Sequence, residues 1–456
     1  MSVAELSFPK AFRVKFSQTE RWNVSFFKVG NWHWEKGIIQ PISAFTSPVI
    51  EPLTFAEAQQ QNIPIISKIT FDGELVLKEA SDYKDYKGRL FLVRPHSIIF
   101  SKINARRGCI FYVPEGHRIF AVSGEYPVLA VDRSRAIGEY VNLALRVGPA
   151  RENLLGGASG MAKARTYLED FQKVKIPIPP VETQRRIVAA WQQAQVKAIK
   201  AQERVEQVEQ EIETRFYLDL GLKPPKKASR LKTFAVWWKD FERWSVSYSQ
   251  AIQSGTDVTH GKYPVHELGS LLEFVQYGTS EKANSNGDGI PVIRMNNITD
   301  GKLDLSDLKF VKLKSRDQER LLLNDNDILF NRTNSKELVG KCAVFHESGD
   351  YVFASYLIRI RPDPTKADSD FVAYVINSSI GRQQINAISR QIIGQANVNS
   401  EELRSLQIPL PPLDVQKEIM RRVEEGRRKI RKEQETAAQV KEESEREIER
   451  MILGIK

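Results

Sequence analysis

One segment of this chain occurs twice, and each occurrence opens a long, charged, helix-forming stretch. The first reads Lys175-Ile176-Pro177-Ile178-Pro179-Pro180-Val181-Glu182-Thr183-Gln184-Arg185-Arg186-Ile187. The second reads Gln407-Ile408-Pro409-Leu410-Pro411-Pro412-Leu413-Asp414-Val415-Gln416-Lys417-Glu418-Ile419. Mixed globular sequence precedes each copy. A repeat this long is not a solenoid unit, which runs to ~20–50 residues. It implies two similar modules, each ending in a rod.

The correspondence extends through both halves in the same order. Glu20-Arg21-Trp22-Asn23-Val24-Ser25 answers to Glu242-Arg243-Trp244-Ser245-Val246-Ser247, and Asn62-Ile63-Pro64-Ile65-Ile66 to Gly289-Ile290-Pro291-Val292-Ile293. Turns follow at Asp72-Gly73 and Asp300-Gly301. Ser97-Ile98-Ile99-Phe100-Ser101-Lys102-Ile103-Asn104 then answers to Asp327-Ile328-Leu329-Phe330-Asn331-Arg332-Thr333-Asn334. Between these anchors the halves diverge, as expected of one scaffold carrying two surfaces.

The scaffold reads as mixed α/β. Short β-branched and aromatic runs at 98–100, 109–113, 328–330 and 351–360 are bounded by Gly, Pro, Asn and Asp, the punctuation of strands. Residues 370–377 suit a helix. Cys109 and Cys342 fall in strands that read as equivalent, which predicts two buried thiols. In the first rod Ile187, Trp191, Ala194, Ala198, Ala201, Val205, Val208 and Ile212 alternate spacings of four and three, a heptad seam. Over 181–216 such a helix spans about 54 Å at ~1.5 Å per residue. The second rod, 413–452, carries Ile419, Val423, Gly426, Ile430, Ala437, Val440 and Met451, with Glu433 and Ser444 interrupting. Pro180 and Pro412 suit a helix start, and Glu182 and Asp414 complement its positive end. The first rod stops at Gly221, before the stiff basic linker Pro224-Pro225-Lys226-Lys227. Two apolar stripes on one chain are most economically buried against each other, which requires an antiparallel pair.

The chain has 456 residues, 41% hydrophobic and 27% charged, enough for two or three separate cores. No apolar run approaches the ~18–20 residues that cross a bilayer. The N-terminal stretch lacks a signal pattern, and two cysteines make neither a disulfide framework nor a zinc cluster. A cytoplasmic protein with no membrane partner is expected. Sixty-seven basic against 57 acidic residues leave a formal charge of +10, which favours a polyanionic partner.

The paired Ile-Pro-(Ile/Leu)-Pro-Pro-x-x-x-Gln segments, each opening a long helix after a globular module, resemble the specificity (S) subunits of type I restriction–modification systems across essentially the whole chain. His266-Glu267-Leu268-Gly269, Tyr277-Gly278-Thr279-Ser280 and Gly289-Ile290-Pro291-Val292-Ile293-Arg294 follow the usual order of a target-recognition module. The first module departs from it around 45–52, where no Gly-Thr turn occurs. The resemblance implies target-recognition domains at 1–175 and 223–406, with helical spacers at 176–222 and 407–456. It implies a non-catalytic subunit reading a bipartite, asymmetric site in double-stranded DNA. Two methyltransferase (M) subunits and restriction (R) subunits would dock on the helices. S-adenosylmethionine and ATP would then belong to those partners, with no cofactor on this chain.

Readout of bases needs Arg, Lys, Asn and Gln on base edges, with further cations on phosphates. The loops after the anchored strands supply them: Lys102, Asn104, Arg106 and Arg107 in the first module, Arg332, Asn334 and Lys336 in the second. Lys68, Thr279, Ser280, Lys282, Arg294, Asn296 and Asn297 are further candidates. A third set precedes each rod: Lys163 and Arg165 in one module, Arg390, Gln391, Gln395 and Asn397 in the other. Tyr277 reads either as packing on a sugar or as filling a core gap, and the core is expected.

Enzyme readings find little support. No Asn/Asp-Pro-Pro-aromatic segment is present to hold a flipped adenine, and no Walker-type loop to hold ATP. Gly156-Gly157-Ala158-Ser159-Gly160 reads as a loop, and Asn324-Asp325-Asn326-Asp327 lacks the glycine and distal Glu of a calcium loop. The alternative from another class is a coiled-coil adaptor that assembles protein partners, its basic charge incidental.

Overall fold

The computed structural model describes residues 32–35, 37–84, 86–156, 165–224, 257–335, 338–392 and 395–455. The correspondence of 20–25 with 242–247, the glycine-rich residues 157–160, the linker residues 225–227, and the candidates Lys163 and Lys336 lie outside them. The chain forms two compact units, residues 1–201 with 435–456 and residues 202–434.

In the first unit a four-stranded antiparallel sheet runs in the order Thr46–Val49, Val128–Val131, Ser97–Phe100, Ile110–Tyr112. The strand Ser97–Phe100 is buried at every position, as a near-continuous apolar run predicts. Ile98 and Phe100 face a core with Tyr140 and Phe171, while Ile99 faces Phe120 and Val122. Phe100 stacks on Phe171 with ring centres 3.9 Å apart. A second sheet of five strands includes Ile65–Ile69 beside Phe120–Ser123, its one parallel pairing.

The second unit repeats this plan. Its four-stranded sheet runs Leu272–Tyr277, Leu357–Pro362, Ile328–Asn331, Cys342–Val344. Ile328 and Phe330 face a core with Phe371 and Val372, while Leu329 faces Phe353 and Ala343. The adjoining sheet has three strands and again one parallel pairing, Ile290–Ile293 with Val352–Phe353. Ser369–Asn377 is helical, capped by the Asp368 side chain on Phe371 N.

The two cysteines are both buried, but not as equivalents. Phe100 pairs with Ile110 and Phe330 with Cys342, so Cys342 matches Ile110 and Cys109 stands one residue earlier. A one-residue offset turns a side chain to the opposite face. Cys109 accordingly joins the core of Ile99, and Cys342 that of Phe330. Burial pushes both thiols up from their ordinary range.

The rods are single helices, Val181–Asp219 and Leu413–Leu453. From Trp191 to Ile212 every seam position named from the heptads is buried or half-buried, and the positions between them are exposed. Glu433 and Ser444 hold seam positions in the second rod and are half-buried there. In the first unit Ile187, Trp191 and Ala194 join one core with Ile448, Met451 and Ile452. In the second, Ile212 and Phe216 join one core with Ile419 and Val423. The start of each helix therefore meets the end of the other, an antiparallel coiled-coil pairing. Gly426 makes room for Ile212: a Cβ there would lie 2.5 Å from Ile212 Cγ1. The first rod ends in a left-handed Gly221, φ 69°, with Leu222 N bonded back to Tyr217 O at 2.8 Å, the geometry of a Schellman cap.

The repeated motif docks each rod on its module in the same way. Lys175–Pro177 pairs with Ile39–Pro41, and Gln407–Pro409 with Val265–Glu267. Gln184 and Gln416 are fully buried. Gln184 Nε2 donates to Pro179 O at 2.7 Å and Gln416 Nε2 to Pro411 O at 2.7 Å. Their Oε1 atoms accept from Ile137 N and Asp368 N, each at 2.8 Å. Ile137 and Asp368 are the N-caps of the helices Gly138–Ala144 and Ser369–Asn377. The glutamine thus satisfies an orphan donor of one helix while fixing the start of another.

Candidate nucleic-acid interface

The same two backbone contacts organise the loop region of each module. Lys102 N donates to Glu125 O at 3.0 Å, and Thr166 N to Lys102 O at 2.7 Å. In the other module Arg332 N donates to Tyr356 O at 3.0 Å, and Val398 N to Arg332 O at 2.9 Å. Lys102 and Arg332 are therefore equivalent, as are Glu125 and Tyr356, and Arg165 and Asn397. The loop after the central strand meets the segment before the rod in both halves, joining candidates far apart in sequence.

On this frame the side chains differ. In the second module the Arg332 guanidinium lies 4.9 Å from the centre of the Tyr277 ring and donates to Asn397 Oδ1 at 3.4 Å. Thr333 Oγ1 shares that acceptor at 3.3 Å, and Thr333 pairs with Asn397 in a small sheet with Arg390–Ile392. Tyr277 is 38% exposed rather than core; its hydroxyl accepts Ser400 N at 3.0 Å, which holds the ring at the surface. Asn334 Nδ2 reaches Met295 Sδ at 3.5 Å, drawing in the turn of Asn296. Thr279 is held by backbone bonds to Phe353 and Ser355. Gly278 before it is required, since a Cβ would lie 2.3 Å from Phe353 O. Ser280, Lys282 and Asn296 are exposed. The side chains of Arg390, Gln391 and Gln395 lie outside the described residues.

Two candidates serve the loop itself. Asn297 is 2% exposed, accepts Arg294 N at 3.0 Å and donates to Asp304 O and Asp307 O at 2.8 and 3.1 Å. Every hydrogen-bonding atom of its amide is engaged, so it holds the turn and has nothing left for a base edge. Arg294 is likewise tied to Asp307, through carbonyl and carboxylate at 2.8 and 3.0 Å.

In the first module Lys102 Nζ donates to Gly124 O at 2.6 Å, and Arg165 pairs with Glu125 at 3.4 Å. Asn104 precedes the short 3-10 turn Ala105–Arg107, which ends in a left-handed Gly108. That turn projects Arg106, half-buried, and Arg107, exposed. Lys68 is exposed on the strand Ile65–Ile69 at a bulge, and among the described residues no hydrogen bond joins it to this loop. Residue pattern had not singled out Glu125 or Tyr356; only their matched contacts with Lys102 and Arg332 reveal them. Among the described residues no group of three or more His, Cys, Asp or Glu could hold a metal ion, and no helix is long and apolar enough to cross a membrane.

Residues 261–442 match the family described as type I restriction modification DNA specificity domain. The chain is 31% identical over 159 residues to a putative type I restriction enzyme MjaX specificity subunit of Methanocaldococcus jannaschii, covering 34% of this chain and 37% of that protein. It is 27% identical over 260 residues to the type I restriction enzyme EcoKI specificity subunit of Escherichia coli, covering 56% of this chain and 51% of the relative. The matched stretch thus spans about a third to a half of the length of these curated relatives. In fold, the chain is similar to one from a structural study of complex assembly and conformational transition of the type I R-M system, with a TM-score of 0.58 at 15% identity. That match covers 92% of this chain and 98% of the other.

Proposed function

We propose that this chain, which belongs to the type I restriction–modification specificity family, reads a bipartite, asymmetric target in double-stranded DNA with its two modules. The observation that carries this reading is the duplicated loop frame bearing unlike side chains: Lys102, Glu125 and Arg165 in one module, Arg332, Tyr356 and Asn397 in the other. Equal frames give both modules the same approach to a duplex; unequal side chains give them different half-sites.

The recognition domains are read as 1–175 and 223–406, with 176–222 and 407–456 as helical spacers that dock two M subunits and the R subunits. The chain itself performs no chemistry on this reading, and S-adenosylmethionine and ATP act on those partners in the cytoplasm. Lys102, Asn104, Arg106, Arg107 and Arg165 are the proposed contacts in the first module. Thr279, Ser280, Lys282, Asn296, Arg332, Asn334 and Asn397 are those in the second. Lys68, Lys163, Lys336, Gln391 and Gln395 complete the proposed set.

The test is to map N6-methyladenine across the source genome with and without this gene. A split motif that disappears on deletion is expected. A methylated split motif that survives deletion, or none in cells expressing the gene with its methyltransferase, contradicts the reading. The adaptor alternative predicts binding that ignores DNA sequence and declines with salt alike for every duplex.

A further inference from the structure

Phe71 stands 53% exposed at the turn after the strand Ile65–Ile69, where the ring is largely outside any core. The turn is bonded directly to the basic loop. Arg146 donates through Nη1 to the Asp72 carbonyl and through Nη2 to the carbonyls of Gly108 and Ile110, at 3.3 and 3.1 Å. Two left-handed glycines make room for this fork. A Cβ on Gly73, φ +78°, would fall 1.2 Å from Arg146 Nη2, and one on Gly108, φ +97°, 2.6 Å from the Phe71 carbonyl oxygen. Turn and loop are therefore one surface.

That surface is cationic around an exposed ring. The Arg107 guanidinium lies 5.4 Å from the centre of the Phe71 ring, within the range of a cation–π contact. Arg151 approaches Gly108 from beneath, its Nη2 2.9 Å from where a Cβ would stand. Among the described residues, no carboxylate is ion-paired with Arg106, Arg107, Arg146 or Arg151. Burial pushes the Arg146 guanidinium below its usual range; nearby Arg151 adds to this, and Asp72 opposes it. An exposed ring with Arg107 over it and further arginines in the adjoining loop suits a polyanion that also offers apolar surface, even with Asp72 and Glu74 in the turn itself. Duplex DNA does so in its thymine methyls and sugar walls.

We propose that the turn 70–74 is a second DNA-contacting element of the first module, with Phe71 as a direct apolar contact and Arg146 as the positioning residue that holds it against the basic loop. This rests on the DNA reading above. The experiment uses the full-length chain and a duplex that it selects from a randomised pool. The first module's half-site is identified as the one whose preference Arg107→Gln relaxes. Phe71→Ala is expected to weaken binding about tenfold and to lose preference at that half-site. The salt dependence should stay unchanged, because a phenyl ring neutralises no phosphate, whereas Arg107→Gln should lower the salt slope by about one. Arg146→Lys keeps the charge without the fork, and should relax the same half-site at an unchanged slope. A Phe71→Ala chain with wild-type affinity and preference overturns this inference and leaves the DNA reading intact. A wild-type chain that enriches no motif overturns both.

Discussion

At the heart of each four-stranded sheet, three equivalent positions are filled in opposite ways. The strand pairings match Ser97, Val128 and Ala130 of the first module with Asp327, Arg359 and Arg361 of the second. The first set is small and uncharged, with Ser97 and Val128 buried and Ala130 half-buried. The second buries a carboxylate that holds Arg361 through two bonds of 2.7 and 2.9 Å and Arg359 at 3.3 Å. Both guanidiniums also lie over Phe274, at 4.6 and 5.0 Å. One backbone frame accepts either filling.

The comparison is most directly broken at Asp327. Asp327→Ala strands two guanidiniums and should cost about 3–5 kcal/mol, read by chemical denaturation of the full chain. Grafting the first module's Ser, Val and Ala at 327, 359 and 361 together should cost clearly less than the single change. If the triple variant is the worse of the two, the fillings are not interchangeable.

The glutamine clamps sharpen what the modules share. Gln184→Ala and Gln416→Ala each leave a helix N–H and a proline carbonyl buried without a partner, and should each cost about 2–4 kcal/mol. Near-equal losses support equivalent docking; a tolerated change at one site alone would show that only the other rod depends on its motif.

A smaller effect is expected in the coiled-coil seam, where the second unit relies on a glycine. Gly426→Ala drives a methyl into Ile212 and should cost about 1–3 kcal/mol. Adding Ile212→Ala should recover part of that in thermal unfolding, and no recovery would mean that the helices do not meet there as described.

The smallest is a pH effect confined to one module. His346 stands where the first module has Pro114, and bonds Asp325 at 2.8 Å and Asp370 at 3.3 Å. Burial pushes its pKa down, but the two carboxylates outweigh this and leave it above the ordinary 6.5. The stabilisation is therefore fully present below that value and lost as pH rises through the raised one. His346→Asn should narrow the difference in thermal midpoint between pH 6 and pH 8; an unchanged difference would assign the pH dependence elsewhere.

Much of this fold was legible in sequence because periodic patterns have direct physical causes. Seam residues from Trp191 to Ile212 are less exposed than the residues between them, since a stripe repeating every three and four residues has one way to be buried. The Pro-Pro-x-x-x-Gln segments announced the rods, although the buried role of Gln184 and Gln416 became visible only with their partners. The recognition surface was less legible. Arg332 and Asn397 were both candidates, but their meeting depends on a long-range strand pairing that no local pattern encodes. Tyr277 read as core because aromatic residues in strands usually are; its place at the strand's end beside Gly278 and Ser400 exposes it instead. Asn297 shares its residue type with base-reading amides, and only its hydrogen bonds separate turn-holding from readout.

The most direct test is to exchange Lys102, Asn104, Arg106 and Arg107 for the residues at the matching places of a related specificity subunit, and then to map the methylated motif. A new first half-site with the second intact is the predicted result. A change in both half-sites, or in neither, would contradict the account of two independent surfaces on one repeated frame.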